Sequence, residues 1–137
     1  MKTLTSILIG LLVVGCGKKE VDLSKLVRKD DLVYHKGENK PFSGLASLSH
    51  ENGGKKLIVN FKDGKEHGEY SLWYENGKLM HQANYEDGQY SGAVSWWDEN
   101  GTKASEGFYA AGKEASFKSF KQLNIMPDQI PRISDAE

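Results

Sequence analysis

The chain has 137 residues, 38% of them hydrophobic and 27% charged, with a formal net charge of −1. That length suits one domain, and a near-neutral balance excludes the concentrated basic stripe that nucleic-acid binding requires. With one cysteine in the chain, an intramolecular disulfide framework is excluded as well. The first residues read as a targeting signal. Lys2 supplies a short positive region, and Leu4 to Val14 form an uncharged, mostly apolar run. At about 11 residues that run falls short of the ~20 that a bilayer-crossing helix needs, so it predicts a helical signal peptide over residues 1–15.

Val13-Val14-Gly15-Cys16 resembles the lipobox of bacterial lipoprotein precursors, in which a small residue precedes an obligatory cysteine. The resemblance implies cleavage after Gly15 and a diacylglyceryl thioether on Cys16, with an acylated amine. Two or more acyl chains give stable anchoring, at ~0.8 kcal/mol per buried methylene. Removing Met1 to Gly15 takes away one basic residue, Lys2, and leaves 17 basic against 19 acidic side chains, a net of −2. Residues 16–23 are then expected as the lipidated cysteine and a tether, with Lys18 and Lys19 beside the anchor. Gly17 stands where Asp retains enteric lipoproteins at the inner membrane, which favours the outer membrane if the source is Gram-negative.

The region 24–121 is expected to form one repeat domain. Ser24 to Arg28 and Leu32 to Tyr34 flank Lys29-Asp30-Asp31 and predict a hairpin that caps the N-terminal side, within 24–43. Gly37 to Pro41 is a polar loop leading onward. From there a 24-residue period governs the chain. It links Glu51-Asn52-Gly53, Glu75-Asn76-Gly77 and Glu99-Asn100-Gly101, and it links Gly44, Gly68 and Gly92. The same step relates Gly64, Gly88 and Gly112, then Phe61, Tyr85 and Tyr109, and carries Trp73 onto Trp97. Ser47, Ser71, Ser95 and Ser119 run in phase too, so repeats start at 44, 68 and 92, with a partial one from 116.

Each unit reads as two short strands. Asn-Gly and Asp-Gly pairs accept positive φ at both centres of a type I′ turn, the geometry that suits a two-residue hairpin. Asn52-Gly53, Asn76-Gly77 and Asn100-Gly101 predict one set of corners; Asp63-Gly64, Asp87-Gly88 and Ala111-Gly112 predict the other. Two-residue corners would pair Trp73 with Met80 and Tyr85 with Tyr90. The predicted fold is all-β, a meandering antiparallel single-layer sheet of tandem hairpins. Alternation places Ala46, Leu48, Tyr70, Leu72, Val94 and Trp96 on one face, with Phe120 in the same register, and the serines beside Trp73 and Trp97 on the other. The glycines at 44, 68 and 92 read as strand starts or close-approach points. The tail, 122–137, carries Pro127 and Pro131 and is expected to be extended, laid along the last strand.

These residues resemble the MORN-repeat-variant family, whose units run G-x-x-x-x-W-Y-x-N-G-K and then aromatic-x-D-G-K-x-x-G. The segment Asp63-Gly64-Lys65-Glu66-His67-Gly68 to Trp73-Tyr74-Glu75-Asn76-Gly77-Lys78 carries the likeness, and Pro41-Phe42-Ser43-Gly44 resembles the family's opening motif. It extends over roughly Leu26 to Lys113. The first unit departs with Ser49 and His50 in place of the Trp-Tyr pair, and the third has Asp98 in place of Tyr74. Many relatives are catalogued as antitoxins and others as repeat lipoproteins. The resemblance implies a β-hairpin repeat fold and transfers no catalytic motif.

No residue set for catalysis stands out. A serine nucleophile needs a base and an elbow such as G-x-S-x-G, and paired carboxyls need a cleft between them. His35, His50, His67 and His81 lack chelating spacing, so no metal or cofactor is expected, and they read as exposed strand or loop residues. The candidate binding surface is the aromatic set Tyr70, Trp73, Tyr74, Tyr85, Tyr90, Trp96, Trp97 and Tyr109. Two readings of it stay open. The aromatics stabilise a thin sheet through cross-strand pairs, or they engage a partner, as Tyr and Trp do at interfaces. The expected function is a lipid-anchored, non-enzymatic envelope module that binds a protein or an envelope polymer and takes no small-molecule substrate. The alternative is an antitoxin or immunity protein that neutralises a partner toxin.

Overall fold

A computed structural model describes residues Glu20–Ser119 and Ile133. The chain runs through β1 (Glu20–Asp22), a 3₁₀ turn (Leu23–Lys25), β2 (Leu26–Lys29), β3 (Leu32–His35), β4 (Gly44–Ser49), β5 (Lys55–Lys62), β6 (Lys65–Trp73), β7 (Leu79–Glu86), β8 (Gln89–Trp97), β9 (Lys103–Ala110) and β10 (Lys113–Ser119). From β4 to β10 each strand pairs antiparallel with the next, as a meander of hairpins, in an eight-stranded sheet ordered β1-β4-β5-β6-β7-β8-β9-β10. The fold is the all-β repeat sheet that the period predicts. The expected helical signal peptide, Cys16 and Phe120 lie outside the described residues. Of the expected extended tail, Ile133 alone is described, and it packs against the core.

Two features add to a plain meander. Glu20–Asp22, expected within the tether, form β1 and pair parallel with Leu45–Ser47 of β4, so the sheet begins before the repeats do. The expected cap hairpin is β2–β3, turned by Asp30 and Asp31 at φ 47° and 63°. It buries Leu26 and Val33 in the same cluster as Leu57, Val59, Phe61 and Leu72. Val33 N–H donates to Gly64 O at 2.8 Å, and Gly64 N–H donates to Phe42 O at 2.9 Å, which docks the cap on the β5–β6 corner.

The two sets of corners differ. Asp63-Gly64, Asp87-Gly88 and Ala111-Gly112 all have positive φ at both residues and close two-residue turns, as expected. Tyr85 accordingly pairs with Tyr90. At the Asn-Gly corners only the glycine has positive φ. Tyr74 N–H donates to Lys78 O at 2.9 Å and Gly77 N–H to Tyr74 O at 3.0 Å, which closes a three-residue loop. Trp73 therefore pairs with Leu79 and not with Met80. The cause is the asparagine side chain. Asn76 Oδ1 accepts from Lys78 N–H at 3.0 Å, an Asx-type bond that competes with the tighter turn. Its Nδ2 donates to Glu99 O at 2.9 Å, as Asn52 Nδ2 does to Glu75 O at 3.0 Å, riveting each corner to the next.

The faces follow the two-residue alternation. On β5, Leu57, Val59 and Phe61 are buried while Ile58 and Asn60 are half-buried. Ala46, Tyr70, Leu72 and Val94 are buried, with Leu48 and Trp96 packed against them, so the expected core face is observed. Each large apolar side chain there contributes roughly 1.5–3 kcal/mol. Gly68 and Gly92 are not strand starts. They lie inside β6 and β8, at φ 93° and 81°, where the register to the preceding strand slips, so they serve β-bulges that bend those strands. Gly44 does open β4.

Candidate binding faces

Five of the eight candidate aromatics, Tyr70, Tyr85, Tyr90, Trp96 and Tyr109, belong to the core face. Their rings step across the sheet as one ladder. Centroids of Tyr70 and Tyr85 are 5.6 Å apart, Tyr85 and Tyr90 4.7 Å, and Tyr90 and Tyr109 5.1 Å. Tilted packing of this kind suits the quadrupoles of the rings. Burial raises the phenols of Tyr70 and Tyr85, and the Tyr85–Tyr90 hydrogen bond raises Tyr85 further, so both stay neutral donors. This face is structural for most of its width.

His81 completes the ladder, against the expectation of an exposed histidine. It is 2% exposed and lies flat on Trp96, centroids 3.5 Å apart and planes 16° apart. Nδ1–H donates to Ser95 O at 3.0 Å, and Nε2 accepts from the Tyr90 hydroxyl at 3.4 Å. Burial pushes its pKa down to about 4, and the bond to Ser95 opposes the shift only in part. His81 is a neutral core residue. Its sequence signal is its place opposite Leu72 in the register that the Asn76-Gly77 corner sets, with Trp96 on its other side. His35, His50 and His67 are half-buried.

Tyr74 stands at an Asn-Gly corner and packs against the edge of the core. Its hydroxyl donates to Trp97 O at 2.8 Å, while His50, one repeat earlier, donates from Nε2 to Trp73 O at 2.9 Å. Burial, then the Glu99 and Asp98 carboxylates, raise the Tyr74 phenol. His50, Lys56, Tyr74, Glu75, Met80 and Glu99 line an open cavity of about 420 Å³ here, which the sequence did not announce. Among the described residues, no group of three or more His, Cys, Asp or Glu is placed to hold a metal ion.

Trp73 and Trp97 are on the other face, open to solvent and half-buried by their neighbours. Trp73 pairs with Leu79, and Trp97 with Lys103, whose Nζ stands 5.4 Å from the indole centroid. Beside them a row that is polar but for Ile58 crosses the sheet in register: Ser47, Ile58, Ser71, Gln82, Ser95 and Glu106. Ser71 is its lowest point, 2% exposed, with Oγ donating to Glu69 Oε1 at 3.2 Å. Gln82 Nε2 donates to the same carboxylate oxygen at 3.3 Å. The structure thus divides the eight candidate aromatics between two faces and a corner, and brings Trp73 and Trp97 alone onto the open face.

A search of curated proteins finds no match to the chain. The family model described as MORN repeat variant matches residues 66–87, which span β6 and β7, and residues 90–111, which span β8 and β9. The two central hairpins of this sheet are thus similar to MORN-variant repeats, over 44 of the 137 residues.

Proposed function

We propose that this protein is a bacterial envelope lipoprotein, held by lipid on Cys16, whose repeat sheet serves as a non-catalytic binding or scaffold module. MORN repeats suggest a repeat-based binding or scaffold module, and such arrays offer extended surfaces rather than clefts. The observation that carries the reading is the division of the sheet. One face is closed by its own aromatic core, and the other carries the half-buried Trp73 and Trp97 beside a mostly polar row in which Gln82, Ser95 and Glu106 reach solvent. The lipobox Val13-Val14-Gly15-Cys16 supports the anchor, and Gly17 supports an outer-membrane destination in a Gram-negative cell.

The test joins anchor and face. Wild-type chain is expected to incorporate an alkyne-tagged palmitate and to fractionate with envelopes, whereas Cys16→Ser accumulates as unlabelled precursor. Affinity capture from detergent-solubilised envelopes is expected to recover cell-wall material or assembly proteins, and Trp73→Ala with Trp97→Ala to lose them. Unchanged anchoring of Cys16→Ser overturns the lipoprotein reading. A single stoichiometric toxin domain in the capture replaces the scaffold by an immunity protein.

A further inference from the structure

The open face carries a spacing that sheet stability does not require. Trp73 and Trp97 hold equivalent places in successive repeats, on β6 and β8, with β7 between them. Neighbouring strands are ~4.8 Å apart, so the two indoles are rooted about 10 Å apart along the repeat axis. That pitch is close to the disaccharide repeat of an extended β-1,4-linked pyranose chain. In such a chain alternate sugars turn over, so the same C–H face recurs at every second residue. We infer that this face binds an extended β-1,4-linked glycan laid across the strands, with Trp73 and Trp97 each stacking on one of two alternate sugars.

The groups beside the indoles suit hydroxyl recognition. Ser71, Gln82 and Ser95 are in register next to the tryptophans, and Asn60, Glu69 and Asn84 stand in the row beyond. Ser95, Gln82, Asn84 and Glu69 offer a hydroxyl, primary amides and a carboxylate, the donor and acceptor set that equatorial sugar hydroxyls pair with, while Ser71 is buried and Asn60 Nδ2 is spent on Glu69 O. Glu69 is already held by Ser71 and Gln82, so its second oxygen is presented without a search of rotamers. Adjacent strands also rotate by about 20–25°, so the two indoles are not coplanar, which suits a single twisting chain and not a flat crystalline surface.

The inference rests on the binding-module reading and names its ligand class. It is tested on the full chain in detergent micelles, by tryptophan fluorescence and calorimetry, with chitohexaose and cellohexaose as probes, their disaccharides for length and maltohexaose for linkage. One β-1,4 hexamer is expected to bind saturably and at least about tenfold tighter than its disaccharide, because it alone spans both indoles. Trp73→Ala and Trp97→Ala should each return the hexamer to the disaccharide level, and Trp73→Phe, which keeps a flat ring and the strand packing, should restore most of the difference. No binding of either hexamer, equal binding of maltohexaose, or binding indifferent to both alanine variants in a folded chain overturns the inference. A folded chain that takes no glycan, yet loses a captured protein on Trp73→Ala, removes the glycan and leaves the binding module standing. A chain that binds no glycan and captures nothing removes both.

Discussion

His81 lies flat against Trp96, with ring centroids 3.5 Å apart, inside a face otherwise built from tyrosine, phenylalanine and aliphatic side chains. Both nitrogens are engaged while the ring is neutral, Nδ1–H on Ser95 O and Nε2 with the Tyr90 hydroxyl. A proton on Nε2 would turn that acceptor into a second donor facing a hydroxyl, within a buried cluster.

The pH dependence follows from the depressed folded pKa. His81 titrates near 4 in the folded chain and near 6.5 when exposed. Between those values the unfolded state binds more protons, so stability falls as pH falls from 6.5 towards 4 and is unaffected by this group above 6.5. The loss is about 2 kcal/mol at pH 5. Urea midpoints at pH 5 and 7.5 should differ less in His81→Phe than in wild type. An equal difference in both would show that His81 is not buried neutral.

Arg28 ties the cap to the repeats. Its Nη2 is 2.6 Å from Glu66 Oε1, and Glu66 occupies the place held by Phe42 and Tyr90 in the flanking units. With both side chains largely covered, Arg28→Met leaves a half-buried carboxylate alone and should cost about 1–2 kcal/mol. Adding Glu66→Leu should recover most of that loss. Amide exchange across Leu26–His35 checks it: those amides should speed in the single variant and slow again in the double.

Gly64 is where the cap touches the sheet. A Cβ there would lie 3.1 Å from Leu32 Cβ and from Val33 N and O, at φ +80°. At Gly88, one repeat on, the nearest atom would be 3.7 Å away at nearly the same φ. Gly64→Ala should therefore cost at least about 1 kcal/mol more than Gly88→Ala, the left-handed strain being common to both. Equal thermal shifts would mean that the hairpin does not dock on this corner.

The asparagine rivets make unequal predictions within one repeat column. Asn76 uses its amide twice, to Lys78 N–H and to Glu99 O. Asn100 is engaged through its backbone, whose N–H donates to Asp98 Oδ1 and whose carbonyl accepts from Lys78 Nζ. Asn76→Ala should cost about 1–2 kcal/mol and Asn100→Ala a few tenths, measured as differences in urea midpoint.

The repeat explains what could be read in advance. The period, the Asp-Gly turns and the Tyr85–Tyr90 pair were legible because each depends on local spacing that recurs three times. The Asn-Gly corners misled because the Asn side chain makes bonds of its own, lengthening the loop and shifting Trp73 from Met80 to Leu79. The register did not hide His81: the corner sets it opposite Leu72 of the core face, and its imidazole alone is what reads as exposed. Strand β1 carried no signal, as three residues added in parallel to β4 have neither turn nor period to announce them. The aromatic set read as one surface because the alternation separating Tyr70 from Trp73 was outweighed by their shared chemistry.

The central claim is that successive 24-residue units form hairpins with a closed aromatic face and an open Ser–Trp face. Nuclear Overhauser contacts on isotope-labelled chain test it most directly. The account predicts ring contacts between His81 and Trp96 and along Tyr70, Tyr85, Tyr90 and Tyr109, with backbone contacts linking Ser71, Gln82 and Ser95. Contacts from the Trp97 indole to Tyr90, or helical sequential contacts through Asn76-Gly77, would contradict it.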